Sequence, residues 1–194
     1  MLKDLVLKCR SYRRYYEEAA IDIITLRDLI DLARNTASAT NRQPLKYILS
    51  CSRERNAQIF SCLHWAAMLR TWPGPAAGER PSGYIIVLGD KEVLPSFGVD
   101  HGIAAQTILL GAVEKGLGGC MLAAIERDEL RKLLGILPKF EILLVIALGK
   151  PKEKVVIDEL QPGADSIYWR DQDEVHHVPK RRLVDVIVAE YQGK

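Results

Sequence analysis

Apolar residues first recur at helical spacing at Leu2, Leu5, Val6 and Cys9, which predicts a short amphipathic helix over 2–9. A second helix follows, with Leu26, Leu29, Ile30 and Ala33 on one face, Thr25 as its N-cap and Asp28 at N3. Residues 46–51 then read as a strand, and 53–55 as a polar turn. A third helix is expected over 57–70, with Ile59, Leu63, Ala66 and Ala67 inward. The Trp-Pro-Gly-Pro run at 72–75 must end it, because proline cannot continue the hydrogen-bond ladder. The unbroken apolar run 84–88 predicts a central strand covered on both faces.

Asp100 suits the cap of a fourth helix over 101–115, apolar on nearly every side and therefore buried. The glycines of 116–119 close it, and 120–125 follows as a short strand or extended piece. A fifth helix over 127–134 stops at Gly135, and 141–149 is a second fully buried strand. From 150 to 178 the pattern turns polar, with Pro151, Pro162 and Gly163, and predicts an irregular arm. A last helical segment is expected over 180–190, with Leu183, Val186 and Ile187 on one face. No internal repeat interrupts this order, so the pattern predicts one domain of mixed α and β structure over 1–194, with 150–179 as its arm and 180–194 as its C-terminal segment.

Composition narrows the class. The chain has 194 residues, 48% hydrophobic and 27% charged, enough to bury a core without a metal or disulfide staple. A net charge of +2 is too mild to imply nucleic acid by itself. Cys9, Cys51, Cys62 and Cys120 form no Cys-x-x-Cys pair and read as small buried hydrophobes in a reducing compartment. The first residues lack a signal peptide's apolar core, and the longest apolar runs, 83–89 and 141–149, are too short to span a bilayer. The expected location is cytoplasmic.

Candidate chemistry gathers in two places. Residues 36–47 join a helix to a strand through small side chains, the amides of Asn41 and Gln43, Arg42 and the stiff Pro44. Small residues let a planar ligand approach the backbone, and each amide offers both a donor and an acceptor. The same composition also suits an ordinary connection. Basic clusters stand near both ends, Arg10, Arg13 and Arg14, then Lys180, Arg181 and Arg182. Guanidinium groups grip phosphate bidentately, so one anion held from both ends of the chain is one reading and two solvated charge runs the other. No Gly-x-Gly-x-x-Gly, Walker loop or Gly-x-Ser-x-Gly elbow is present. His64 reads as a helix residue at the edge of the core, and His64, His101, His176 and His177 lack metal-ligand spacing. No metal is expected.

Four stretches, in order, resemble the nitroreductase family of FMN-dependent oxidoreductases: Cys-Arg-Ser-Tyr-Arg-Arg-Tyr at 9–15, Ala-Arg-Asn-Thr-Ala-Ser-Ala-Thr-Asn-Arg-Gln-Pro at 33–44, Gly-Leu-Gly-Gly-Cys-Met-Leu-Ala-Ala-Ile at 116–125, and Val-Pro-Lys-Arg-Arg-Leu at 178–183. The run from Asp100 to Gln106 and the Leu-Gly-Lys-Pro ending at Pro151 are similar too. The resemblance implies an α+β, nitroreductase-like fold, with a central, mostly antiparallel sheet flanked by helices and domain-swapped arms in a homodimer. It also implies FMN at the subunit interface, NAD(P)H as reductant and a small electron-poor acceptor such as a nitroaromatic, quinone or enone.

By the same resemblance, Ser11 and Arg13, with Arg10 beside them, would grip the FMN phosphate and ribityl chain, and Arg13 would reach the pyrimidine edge. Lys180 and Arg182 would return to the phosphate. Ala37, Ser38, Ala39 and Asn41, with Gln43 next to them, would form the loop that a partner subunit lays on the isoalloxazine. Leu122, Ala123 and Ala124 would present backbone to flavin N5, and no side-chain nucleophile is implied.

The chain departs from the family pattern at Cys9, where a phosphate-binding Arg is common, at Ala37 for Pro, at Leu45 for Trp, and at Ala123 where some members carry an acid. The family's pyrimidine contact after the third helix has only Arg70 as a candidate. Two other classes fit the residues: an FMN-binding carrier or sensor without turnover, and an anion- or nucleic-acid-binding module using the basic clusters. No nucleic-acid motif is present and the apolar runs are too short for a bilayer, so neither nucleic acid nor membrane is expected as a partner.

Overall fold

The computed structural model describes residues 1–193, whose contacts gather into two units. The first holds Met1–Trp65 and Pro73–Lys152, the second 66–72 and the residues from Glu153 onward.

The first unit is built on a sheet of five strands, all antiparallel. They are β1 (Tyr15–Tyr16), β2 (Leu45–Ser50), β3 (Gly83–Asp90), β4 (Gly118–Leu122) and β5 (Phe140–Pro151). β3 lies between β2 and β5, and β5 carries β4 and then β1 along its other edge. Every residue of β3 is buried, as its unbroken apolar run requires. Alternation splits its side chains. Ile85 and Val87 join Leu144, Ile146 and Leu148 of β5 in a core roofed by α2 (Ile23–Arg34) and α4 (Asp100–Glu114). Tyr84, Ile86 and Leu88 project to the opposite face, where α3 (Arg53–Ser61) and α5 (Arg127–Leu134) pack together. α1 (Leu2–Lys8) lies against α4. At the α2–α4 crossing, a Cβ on Gly111 would stand about 3.1 Å or less from Leu29 and Leu32, so glycine there lets the helices approach.

Several expected boundaries move. α2 starts earlier because Asp22, not Thr25, is the N-cap, its carboxylate accepting from the Thr25 N–H at 2.6 Å. The polar residues 53–55 are not a turn; Ser52 caps α3, which ends at Ser61 rather than at 70. His64 therefore lies beyond the helix, exposed, with its backbone N–H donating to Ala124 O. Asp100 is not a cap but the first residue of α4, and Ile103 on that helix stays exposed. α5 and its left-handed Gly135 (φ 61°) lie where the sequence placed them.

The second unit corrects the expectation of an irregular arm. β6 (Val155–Glu159) pairs in parallel with β8 (His176–Lys180), and β7 (Trp169–Arg170) pairs antiparallel with β8. Its buried polar centre is the Glu153–Arg170 ion pair at 2.9 Å, with the Arg170 guanidinium 4.3 Å above the Trp72 ring. The C-terminal helix is a single turn, α6 (Leu183–Val186), with Leu183, Val184 and Val186 exposed.

Candidate functional site

Residues 9–13 run along the edge of β4. Ser11 forms a parallel bridge with Gly119, and Tyr12 N–H donates to Gly119 O at 3.0 Å. The close approach depends on glycine, because a Cβ at Gly119 would stand 2.6 Å from the Ala147 carbonyl and one at Gly118 2.7 Å from Pro151. β4 ends at Leu122 and delivers the exposed backbone of Ala123 and Ala124. The fold thus brings two predicted groups, Ser11–Arg13 and Leu122–Ala124, onto the two ends of one five-residue strand.

Arg13 is buried, and its Nη1 donates to Ser11 O at 3.2 Å. Arg10 donates from Nη2 to Val6 O at 2.7 Å, while its Nε is buried with no hydrogen-bond partner. Cys9 points elsewhere. Its sulfur lies in the α2–α4 core and accepts from Gln106 Nε2 at 3.5 Å, and burial pushes its thiol pKa up. A neutral buried thiol cannot replace an arginine on phosphate.

The small-residue loop is more ordered than its composition suggests. Ser38 Oγ donates to Asp100 at 2.5 Å and accepts the Gln43 N–H at 2.9 Å, and Ala39 N–H donates to the other Asp100 oxygen at 3.1 Å. Gln43 Nε2 reaches Asn41 O and Oδ1 at 3.2 and 3.1 Å. Thr40, Asn41 and Gln43 all have positive φ (49°, 54° and 51°), a left-handed conformation that a β-branched residue such as Thr40 adopts at a cost. Asn41 and Ala39 stay exposed. A shallow cavity of about 180 Å³ opens beside the loop, with Ala37, Ser38 and Gln43 among its walls. Tyr47, also on that wall, has its phenol pKa pushed up to about 12 by burial first and the Asp100 charge second.

In the second unit, Lys180 closes β8 and is exposed, its carbonyl accepting from Leu160 N–H at 2.8 Å. Arg182 is the N-cap of α6 and holds Asp185 through Nε and Nη2, both at 2.9 Å. Arg70 falls in the short 66–72 segment of that unit. The residue that sequence reasoning missed is Asp100, the anchor of the whole 38–43 loop. Its signal was an acid opening an apolar helix, which reads equally well as a cap.

Among the described residues no helix is long and apolar enough to cross a membrane. Residues 81–150 match the model of the nitroreductase family. A protein of Archaeoglobus fulgidus provisionally named NADH dehydrogenase/NAD(P)H nitroreductase is 28% identical, over 73% of this chain and 80% of its own. A nitroreductase family protein from Clostridium novyi NT has 25% identity and TM-score 0.65, covering 78% of this chain and 87% of that one. An FMN-dependent nitroreductase from Clostridium difficile R20291 shares the fold at 21% identity and TM-score 0.65, covering 77% and 87%. In its sheet, its flanking helices and the matched segment from the start of β3 through β5, the chain is similar to the nitroreductase family.

Proposed function

We propose that this protein is an FMN-dependent oxidoreductase that passes hydride from NAD(P)H to a small electron-poor acceptor. One observation carries the reading: the bridge from Ser11 to Gly119 puts a cationic segment and an exposed backbone turn on one strand. The buried, unpartnered Nε of Arg10 suits an anionic oxygen, since an unsatisfied buried donor costs about 1–3 kcal/mol. FMN, when bound, supplies the two-electron chemistry at N5.

The chain's residues bind and orient it. Ser11, Arg10 and Arg13 hold the phosphate and ribityl chain, and Lys180 and Arg182 add positive charge to the same task. Arg182 must exchange Asp185 for that role. Backbone at Leu122, Ala123 and Ala124 faces the reacting edge. Ala37, Ser38, Ala39, Asn41 and Gln43 cover the ring of a partner subunit in a homodimer, held ready by Asp100. Exposed Leu2, Val6 and Leu7 on α1 and Ile103 on α4 support such an assembly, because apolar side chains on adjacent helices favour burial against a second copy.

Purified protein should be yellow and should bleach anaerobically with NADH or NADPH. A yellow protein that never bleaches would make it a flavin carrier, and a colourless one that refuses FMN would sink the reading.

A further inference from the structure

A cavity of about 550 Å³ in the first unit is large enough for a metabolite and includes none of the residues placed on FMN. It lies where β2 ends and β3 begins, on the α3 side of the sheet. Three of its wall residues carry buried polar atoms with no hydrogen-bond partner: Arg80 Nε, Ser82 Oγ and Tyr84 Oη. Such atoms are rare in folded proteins, and three in one wall point to a missing partner rather than to chance.

All three can donate. The arginine always does, and burial pushes the Tyr84 phenol pKa well up, so its proton stays on. Their backbone is fixed: Ser82 N–H donates to Leu148 O at 3.0 Å, and Tyr84 sits in the β3 ladder between Ser50 and Ala147. Two acceptors nearby are already engaged. Glu17 Oε2 receives the Gly78 and Arg80 backbone N–H groups at 2.6 and 3.3 Å, which holds the 78–80 wall in place. Asn56 Oδ1 accepts from Ser50 Oγ at 2.7 Å. Ala20, Ala57, Phe60 and Pro81 give the wall its apolar part, and the Arg80 guanidinium lies 4.3 Å over the Phe60 ring.

We infer that this cavity binds a small organic monocarboxylate, its head on Arg80, Ser82 and Tyr84 and its apolar body against Phe60. Three donors on one wall, one of them a guanidinium, fit a single negative charge. The carboxylates of Glu17 and Glu18 on the same wall disfavour a dianion. Entry requires the Arg80 side chain to turn on the Phe60 face, since the donor atoms are covered.

The test uses the full chain with whatever flavin it retains, and sodium benzoate as probe. Hydrogen exchange of residues 77–84 and of α3 should slow on adding benzoate, and benzamide, its neutral isostere, should bind about tenfold more weakly. Tyr84→Phe should also weaken benzoate about tenfold, and Arg80→Gln at least as much. The ligand-free Tyr84→Phe protein should melt no lower than the parent, because it loses an unpartnered hydroxyl. Benzoate protecting 77–84 no better than benzamide would overturn the proposal, as would equal protection in both variants. A shift of the flavin spectrum with no protection of 77–84 would place the acid on the flavin instead. Protection by inorganic phosphate as strong as by benzoate would refute the carboxylate class.

Discussion

Asp100 decides whether the 38–43 loop has one shape or many. Its carboxylate is buried and receives both the Ser38 hydroxyl and the Ala39 N–H. Removing it strands two donors and releases three residues held at positive φ. Asp100→Ala should therefore cost on the order of 2–3 kcal/mol, read as a lower urea midpoint at unchanged slope. Amide exchange across 38–43 should rise with it, and a loop as protected as before would show that the carboxylate is not the anchor. A second residue-scale expectation concerns the proposed phosphate grip. Arg13→Ala and Lys180→Ala should each weaken FMN retention by about 1–3 kcal/mol, measured as flavin lost on dilution. Unchanged flavin content in both variants would mean the phosphate is held elsewhere.

At the scale of elements, helix ends were the least legible part of the sequence. α5 was readable because Arg127–Leu134 is bounded by a glycine whose left-handed φ only glycine adopts freely. Gly135→Ala should accordingly cost about 1 kcal/mol in thermal unfolding. α3 was misread because Ser52 caps a helix of low amphipathicity, and the apolar residues beyond Ser61 serve a bridge, Leu63 to Ile125, instead of another helical turn. The strands were legible for the opposite reason: β3 and the middle of β5, 144–149, are buried on both faces, so no polar residue interrupts their apolar runs. Of the candidate site, the residue types were visible in the chain, but their convergence was not. Nothing in the spacing of Ser11 and Gly119 predicts a bridge across more than a hundred residues. Nor did the short apolar run 155–157 outweigh the prolines and glycine that made its region look irregular, because two- to five-residue strands leave too little periodicity to read.

Across the whole molecule, two charge clusters set opposite limits on pH. In the first unit Glu79 meets Arg14 at 2.7 Å and Lys152 at 3.0 Å, and the hydrogen bond from Arg14 is the main reason its carboxyl falls to about 2. A folded pKa below the unfolded value near 4.5 means this stabilisation is present above that pH and disappears as pH falls towards 2. In the second unit His177 donates between Asp158 at 2.8 Å and Asp171 at 3.2 Å and stacks on Trp169 at 4.2 Å. Burial works to lower its pKa, but its hydrogen bonds to Asp171 and Asp158 more than offset that, so the net shift is upward. A raised histidine contributes fully below its unfolded pKa near 6.5, and the contribution is lost as pH rises through the folded value. Hydrogen exchange, corrected for intrinsic rates, should then show opening in 155–159 and 176–180 on going from pH 6 to mildly alkaline solution, while β3 and β5 remain protected. His177→Gln should remove that alkaline response without touching the acid limb, and Glu79→Gln should flatten the acid limb without touching the alkaline one. If either substitution altered both limbs equally, the pH dependence would belong to global unfolding and not to these two clusters.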